Sequence, residues 1–179
     1  MMTRRSLVLT GFTALVAGSA SNPAVAAPPA APADPVAILT AIYTRVAKGK
    51  GDSGGGFVIE NQAAKAKYFS KSLVDLWARA DDATPKGDIG PIDFDLVTNS
   101  QEPDVKSFKV VAEKLEADSA VIVVTLTSRA PRPKPSDNTI RYNFVKDAGQ
   151  WKIDDISSTL DGEAWSLRDI LTESLKQLT

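Results

Sequence analysis

Residues 140–156 read IRYNFVKDAGQWKIDDI, and this stretch decides the fold. Ile140, Tyr142 and Phe144 alternate with Arg141 and Asn143, the period of two expected of a strand with one face on a core. Asp147-Ala148-Gly149 follows as a short turn into Trp151-Lys152-Ile153-Asp154-Asp155-Ile156. Two strands joined so closely run antiparallel, because a parallel pair needs a long crossover.

Working outward, Phe108, Val110 and Ala112 keep the same period with Lys109 and Glu113 between them. Ala120 to Thr127 is a nearly continuous β-branched run, which predicts a strand buried on both faces. Before these strands the period is helical. Asp34-Pro35 is an N-cap followed by Pro at the first helical position, and Val36, Leu39, Ile42, Tyr43 and Val46 recur until Gly49. A second helix is predicted over about Asn61 to Phe69. Ser70 caps a third, with Leu73, Leu76, Trp77 and Ala80 on one face. Ala83 to Pro91 is a breaker-rich loop. Ser166 and Asp169 have capping-box spacing before a last helix with Leu167, Ile170, Leu171, Leu175 and Leu178 on its face. Helices first, then sequential strands, then a helix give an α+β domain with an antiparallel sheet.

Composition removes most catalytic classes. Among 179 residues there is no cysteine and no histidine. Cys nucleophiles, Cys/His zinc sites, iron–sulfur clusters and disulfides are therefore excluded. Gly51-Asp52-Ser53-Gly54-Gly55 matches the surroundings of the chymotrypsin-type serine, but that nucleophile needs an imidazole base. Ser53, among five glycines from Gly49 to Gly56, reads as part of a flexible connector.

The N-terminus is an export address. Arg4 and Arg5 precede the apolar run Leu7 to Ala17, and small residues lead to Ala24-Val25-Ala26. This order predicts a signal peptide over residues 1–26, by the twin-arginine or the Sec route, and a periplasmic or secreted product. The run is too short to span a bilayer of about 30 Å, so no membrane anchor is expected after cleavage. Removing 26 of the 179 residues leaves 153; two Arg and no acid go with them, so the formal charge moves from −1 to −3. Ala27 to Ala33 is a Pro/Ala-rich lead-in predicted to be disordered, and residues 34–179 form one domain. A near-balanced, mildly acidic chain has no electrostatic footprint for nucleic acid.

The order of elements, with a Gly-x-Trp-x-Ile-x-x-Ile strand, resembles the nuclear transport factor-like cone fold, also called cystatin-like. That resemblance implies a curved sheet with helices closing over it and a pocket between them. Tyr68-Phe69-Ser70, Ser72-Leu73, Ile92-Asp93-Phe94-Asp95, Gln101-Glu102 and Trp151 to Ile156 are similar to an exported bacterial family catalogued as a domain of unknown function. Glu102 stands where that family has Asp. The likeness implies a fold and no activity.

Several residues are candidates for a site. Asp93 and Asp95 would point the same way in an extended segment, with Ile92, Phe94 and Leu96 on the other side. An EF-hand reading fails because Val97 and Thr98 occupy its fifth and sixth positions; Asx-turn and capping roles are favoured, and no metal or cofactor is expected. In the last quoted strand, period two places Asp155 with Trp151 and Ile153, toward the helices, and pairs Asp154 with Lys152 in solvent. Asp155 then either is satisfied by backbone amides or by Arg141, Arg168 or a Tyr, or serves as a pocket base, as Asp does in the isomerases of the cone fold. Ion pairing would depress its pKa and an apolar pocket would raise it. Tyr43, Tyr68, Trp77, Tyr142 and Trp151 line either a ligand cavity or the core, and Gln101 joins Asp93 and Asp95 among the ligand-binding candidates. Ala130 to Pro135 reads as a stiff hairpin loop rather than a polyproline ligand.

Two functions follow from these residues. One is a non-catalytic module that binds a small molecule or a protein, with a homodimer through a sheet face, because Val121 and Val123 share one face and Ile122 and Val124 the other, which leaves one apolar face needing cover. The other is an isomerase, dehydratase or hydrolase with Asp155 as base and Tyr142 or Tyr43 as electrophile. For the export signal, mass spectrometry of the mature protein is expected to find Ala27 as the first residue; an intact N-terminus contradicts the reading.

Overall fold

The computed structural model describes residues 34–49, 54–132 and 134–177. The signal peptide, the lead-in, Ser53 and Leu178 lie outside the described residues. Three helices come first: α1 (Pro35–Lys48), α2 (Gln62–Tyr68) and α3 (Lys71–Ala83). The sheet follows as β1 (Val105–Leu115), β2 (Ser119–Ser128), β3 (Thr139–Asp147), β4 (Gln150–Leu160) and β5 (Glu163–Ser166), and α4 (Leu167–Gln177) ends the described chain. The five strands pair in sequence order, all antiparallel, in a curved open sheet. This is the α+β architecture read from the periodicities. The fifth strand was not predicted.

The caps form as their chemistry requires. Asp34, Asn61 and Ser70 accept from the amides of Ala37, Ala64 and Leu73 at 2.8, 2.9 and 3.1 Å. The β3–β4 turn places Ala148 at φ +49° and Gly149 at φ +77°, both in the left-handed region. One side of the sheet packs on the helices through Ile122, Val124, Ile140, Tyr142, Phe144, Ile153 and Ile156, all buried. They meet Leu39, Ile42 and Tyr43 of α1, Leu73 and Trp77 of α3, and Leu167 and Leu171 of α4.

Two register details depart from the alternation. β2 is not buried on both faces: Ala120, Ile122, Val124 and Leu126 are buried, while Val121 and Val123 are half-exposed and Thr125 and Thr127 exposed. Its β-branched outer residues share one uncovered sheet face instead of entering a second layer. In β4 a bulge interrupts the ladder. Phe144 pairs with Ile153, but Asn143 pairs with Asp155 and Tyr142 with Ile156. One extra residue in β4 thus gives Ile156 the inward position opposite Tyr142 that strict alternation assigned to Asp155.

The loop after α1 is held by close approach. A Cβ on Gly55 would lie 2.1 Å from Cβ of Val97, and one on Gly54 1.9 Å from Oδ2 of Asp95. Glycine is required where the chain lies this near its neighbours. Gly55→Ala is expected to cost about 1–3 kcal/mol through overpacking, read as a lower urea midpoint; an unchanged midpoint would contradict this packing.

Candidate functional site

Three of the candidate residues, Tyr43, Tyr142 and Asp95, belong to one hydrogen-bonded set in the centre of the domain. The Tyr43 hydroxyl donates to the Val97 carbonyl at 2.7 Å. The Tyr142 hydroxyl lies 2.7 Å from that of Tyr43. Because the single Tyr43 proton is engaged by Val97, Tyr142 is the donor of this second bond. Asp95 supports the same backbone: Oδ1 accepts from the amides of Val97 and Thr98 at 2.8 and 3.2 Å, and Oδ2 from the Gly55 amide at 2.5 Å. The Asx-turn role expected of Asp95 is present, with an added bond to the glycine loop. Asp93 is exposed.

Burial governs the chemistry of the tyrosines. Tyr43 and Tyr142 are 0% and 1% exposed. Burial raises the pKa of Tyr43 well above the ordinary phenol value, with the neighbouring Tyr142 hydroxyl adding to the shift. Tyr142 is raised by burial as well, against the hydrogen bond with Tyr43. Phe108 stacks at 5.5 Å from the Tyr43 ring centre, and Tyr142 meets that ring edge-on at 6.3 Å. Both phenols are neutral, and both protons point at protein oxygens.

Asp155 does not join them. Its Oδ1 accepts from the amides of Ile156 and Arg168 at 2.9 and 3.1 Å, and its Oδ2 from the Ser166 hydroxyl at 2.9 Å. The carboxylate thus caps the first turn of α4 from the neighbouring strand, while Ser166 accepts from the Asp169 amide at 3.3 Å. Satisfaction by backbone amides is what the structural alternative required, but the carboxyl is not depressed. Burial raises its pKa, and the bonds to Arg168, Ser166 and Ile156 offset this only in part. The ionised group is half-buried without a direct ion pair.

The charge pairing falls on Asp154 instead. Its Oδ1 receives the Ser70 hydroxyl and Arg168 Nη2, each at 2.6 Å. Arg168 also donates to the Asp154 carbonyl at 2.7 Å and to Ser72 Oγ at 2.8 Å. The expected solvent pair of Asp154 with Lys152 is absent. Lys152 donates to the carbonyls of Ala66 and Lys67 at 2.9 and 2.7 Å, closing the end of α2. The change at Asp154 follows from the bulge, at which Asp154 is the extra residue; Lys152 precedes it, in register with Val145.

The remaining candidates are dispersed. Trp77 is buried against Phe69, with the Lys65 ammonium 4.2 Å above its ring. Trp151 is half-buried at the sheet margin beneath Lys146. Tyr68 packs edge-on against Phe57 in a surface cleft, and Gln101 lines a separate one with Glu102 and Arg129. Sequence reading missed a polar knot around Asn99, which lies at φ +51° and is buried. Its Nδ2 reaches the carbonyls of Asp137 and Thr159 at 2.9 and 2.8 Å, and its Oδ1 accepts from Trp165 Nε1 at 3.0 Å. Arg132 donates to the carbonyls of Thr98, Asn99 and Asp137. Among the described residues no group of acidic side chains could hold a metal ion, and no helix is long and apolar enough to cross a membrane.

No protein family, curated protein or solved structure matches this chain. The reading of the site therefore rests on its geometry.

Asp155 makes that geometry testable. Asp155→Asn keeps an acceptor for the two amides and is expected to match wild type within about 0.5 kcal/mol at pH 7. Asp155→Ala strands them and is expected to cost about 1–3 kcal/mol. Because the folded pKa is raised, ionisation opposes folding. Wild type is expected to lose stability relative to Asp155→Asn as pH rises from about 3.8 through the folded value. Urea unfolding of the three proteins across that range checks the sign; a wild type that gains on Asp155→Asn would contradict it.

Proposed function

We propose that the chain is an exported, non-catalytic binding module of the cone-fold type, which meets its ligand or partner on its surface. One observation carries this reading: both tyrosine hydroxyls at the centre are engaged by protein oxygens in a fully buried pair. A pocket enzyme requires a base and a donor converging on one substrate atom. The isomerase alternative assigned those parts to Asp155 and to Tyr142 or Tyr43, and Asp155 makes its bonds at the start of α4, with neither tyrosine.

Two kinds of surface suit a binding module. On the outer side of the sheet Val111 is 45% exposed, next to half-exposed Val123 with which it pairs, and Val121 shares that side. The Glu113–Arg141 ion pair, at 3.0 Å, borders these valines. A mostly apolar strip with a charged margin suits a protein partner, including a second copy of the chain. The clefts beside α1 and α2 suit a small ligand.

The filled interior is tested by xenon. An enclosed apolar cavity takes up xenon, whereas a packed core does not. In an NMR titration under xenon pressure, resonances around Tyr43, Tyr142 and Phe108 are expected to stay in place. A saturable shift at those residues would restore the pocket and with it the enzyme reading.

A further inference from the structure

The surface beside the C-terminal end of α1 combines cations and aromatic rings in an arrangement that the fold does not need. The Arg45 guanidinium lies 3.8 Å over the ring centre of Phe57. Phe57 meets Tyr68 edge-on at 6.3 Å, and the Lys67 ammonium lies 4.9 Å over Tyr68. Arg45 and Phe57 form a wall shared by two clefts. The first also contains Thr44, Lys48, Gly54 and Gly56; the second contains Asn61, Lys67 and Tyr68, with Glu60 as its one acid.

Cations seated on aromatic rings, without acids beside them, mark this patch. The chain as a whole carries −1, and several cations elsewhere have acids beside them, as in Lys65–Asp81, Lys71–Asp75, Arg141–Glu113 and Arg168–Asp154. Arg45, Lys48 and Lys67 have no ion-pair partner among the described residues. Arg45 and Lys48 are three apart in the last turn of α1, on one side of the helix, where they also complement its carbonyl end. Lys67 stands in the last turn of α2, whose carbonyls Lys152 closes. Stacking on Phe57 holds the guanidinium in one plane, which leaves its edge for a bidentate oxyanion.

We propose that the Arg45–Phe57 wall and its two clefts bind a phosphate monoester, with Arg45 as the fork and Lys48 and Lys67 as flanking charges. Three cations match a dianion better than a carboxylate, and a phosphate monoester carries between about −1.5 and −2 at neutral pH. The same group is found free in solution and on the headgroup of phosphatidic acid. The proposal rests on the reading of the chain as a surface-binding module and names the ligand class of one such surface.

The experiment has two arms on the mature protein. In the first, inorganic phosphate and then phenyl phosphate are titrated while amide NMR resonances are followed. In the second, the protein is sedimented with vesicles of phosphatidylcholine with and without phosphatidic acid. Each arm includes Arg45→Gln and, as a control at an exposed cation far along α3, Arg79→Gln. A soluble ligand is indicated by saturable shifts at Lys48, Gly56 and Phe57 that weaken about tenfold in Arg45→Gln and not in Arg79→Gln. A lipid source is indicated if those shifts are absent but phosphatidic acid vesicles retain wild type and release Arg45→Gln. No response in either arm, or equal weakening by Arg79→Gln, overturns the proposal. That failure would leave xenon exclusion from the core untouched, whereas xenon entry would overturn the non-catalytic reading and leave this site standing.

Discussion

The interaction on which the rest depends is the buried bond between the hydroxyls of Tyr43 and Tyr142. A phenol oxygen in an apolar interior costs several kcal/mol unless it is paired. The two tyrosines solve this together, and the Val97 carbonyl takes the remaining proton. That carbonyl is in place because Asp95 holds the amides of Val97 and Thr98, while the same carboxylate holds Gly55. One continuous set of bonds thus ties α1 to the middle of the sheet and to two loops. The arrangement occupies the space between α1 and the sheet.

The carboxylates follow the same logic at the periphery. Asp155 closes α4, Asp154 joins α3 to α4 through Arg168, and Asp137 accepts from Thr159, Asp161 and Gly162 beside the β4–β5 turn. Burial works against the charge of Asp137, but those hydrogen bonds outweigh it and hold its carboxyl below the ordinary range. A base needs a lone pair that substrate can reach. These acids have theirs directed at amides, hydroxyls or a guanidinium.

Much of the fold was legible because hydrophobic period and capping chemistry are local. Asp34-Pro35, Ser70 and the alternation of Ile140, Tyr142 and Phe144 each specify an element without reference to distant residues. The site was less legible because its geometry depends on register. A single bulge in β4 moved Asp155 from the inward row and made Asp154 the ion-paired member, and nothing in the Asp154-Asp155 pair announces which residue is the extra one. The Asn99 knot was hidden for another reason: its partners are backbone carbonyls, Ser158 and Trp165, distant in sequence, so it has no motif. Tyr43 and Tyr142 were identified as inward aromatics, but that they bond each other across 99 residues is a tertiary fact.

The central claim is that the interior is filled and dry around these two phenols. The most direct test is to follow tyrosine ionisation by absorbance as pH is raised, with near-ultraviolet circular dichroism recording the fold. Of the three tyrosines in the chain, Tyr43 and Tyr142 are raised above the ordinary value near 10. Their contribution to stability is complete below about pH 10 and is lost as pH rises beyond it. The account therefore predicts that two of the three phenols ionise only together with unfolding. Reversible ionisation of all three near pH 10, with the native signal intact, would show that water reaches the centre and would contradict it.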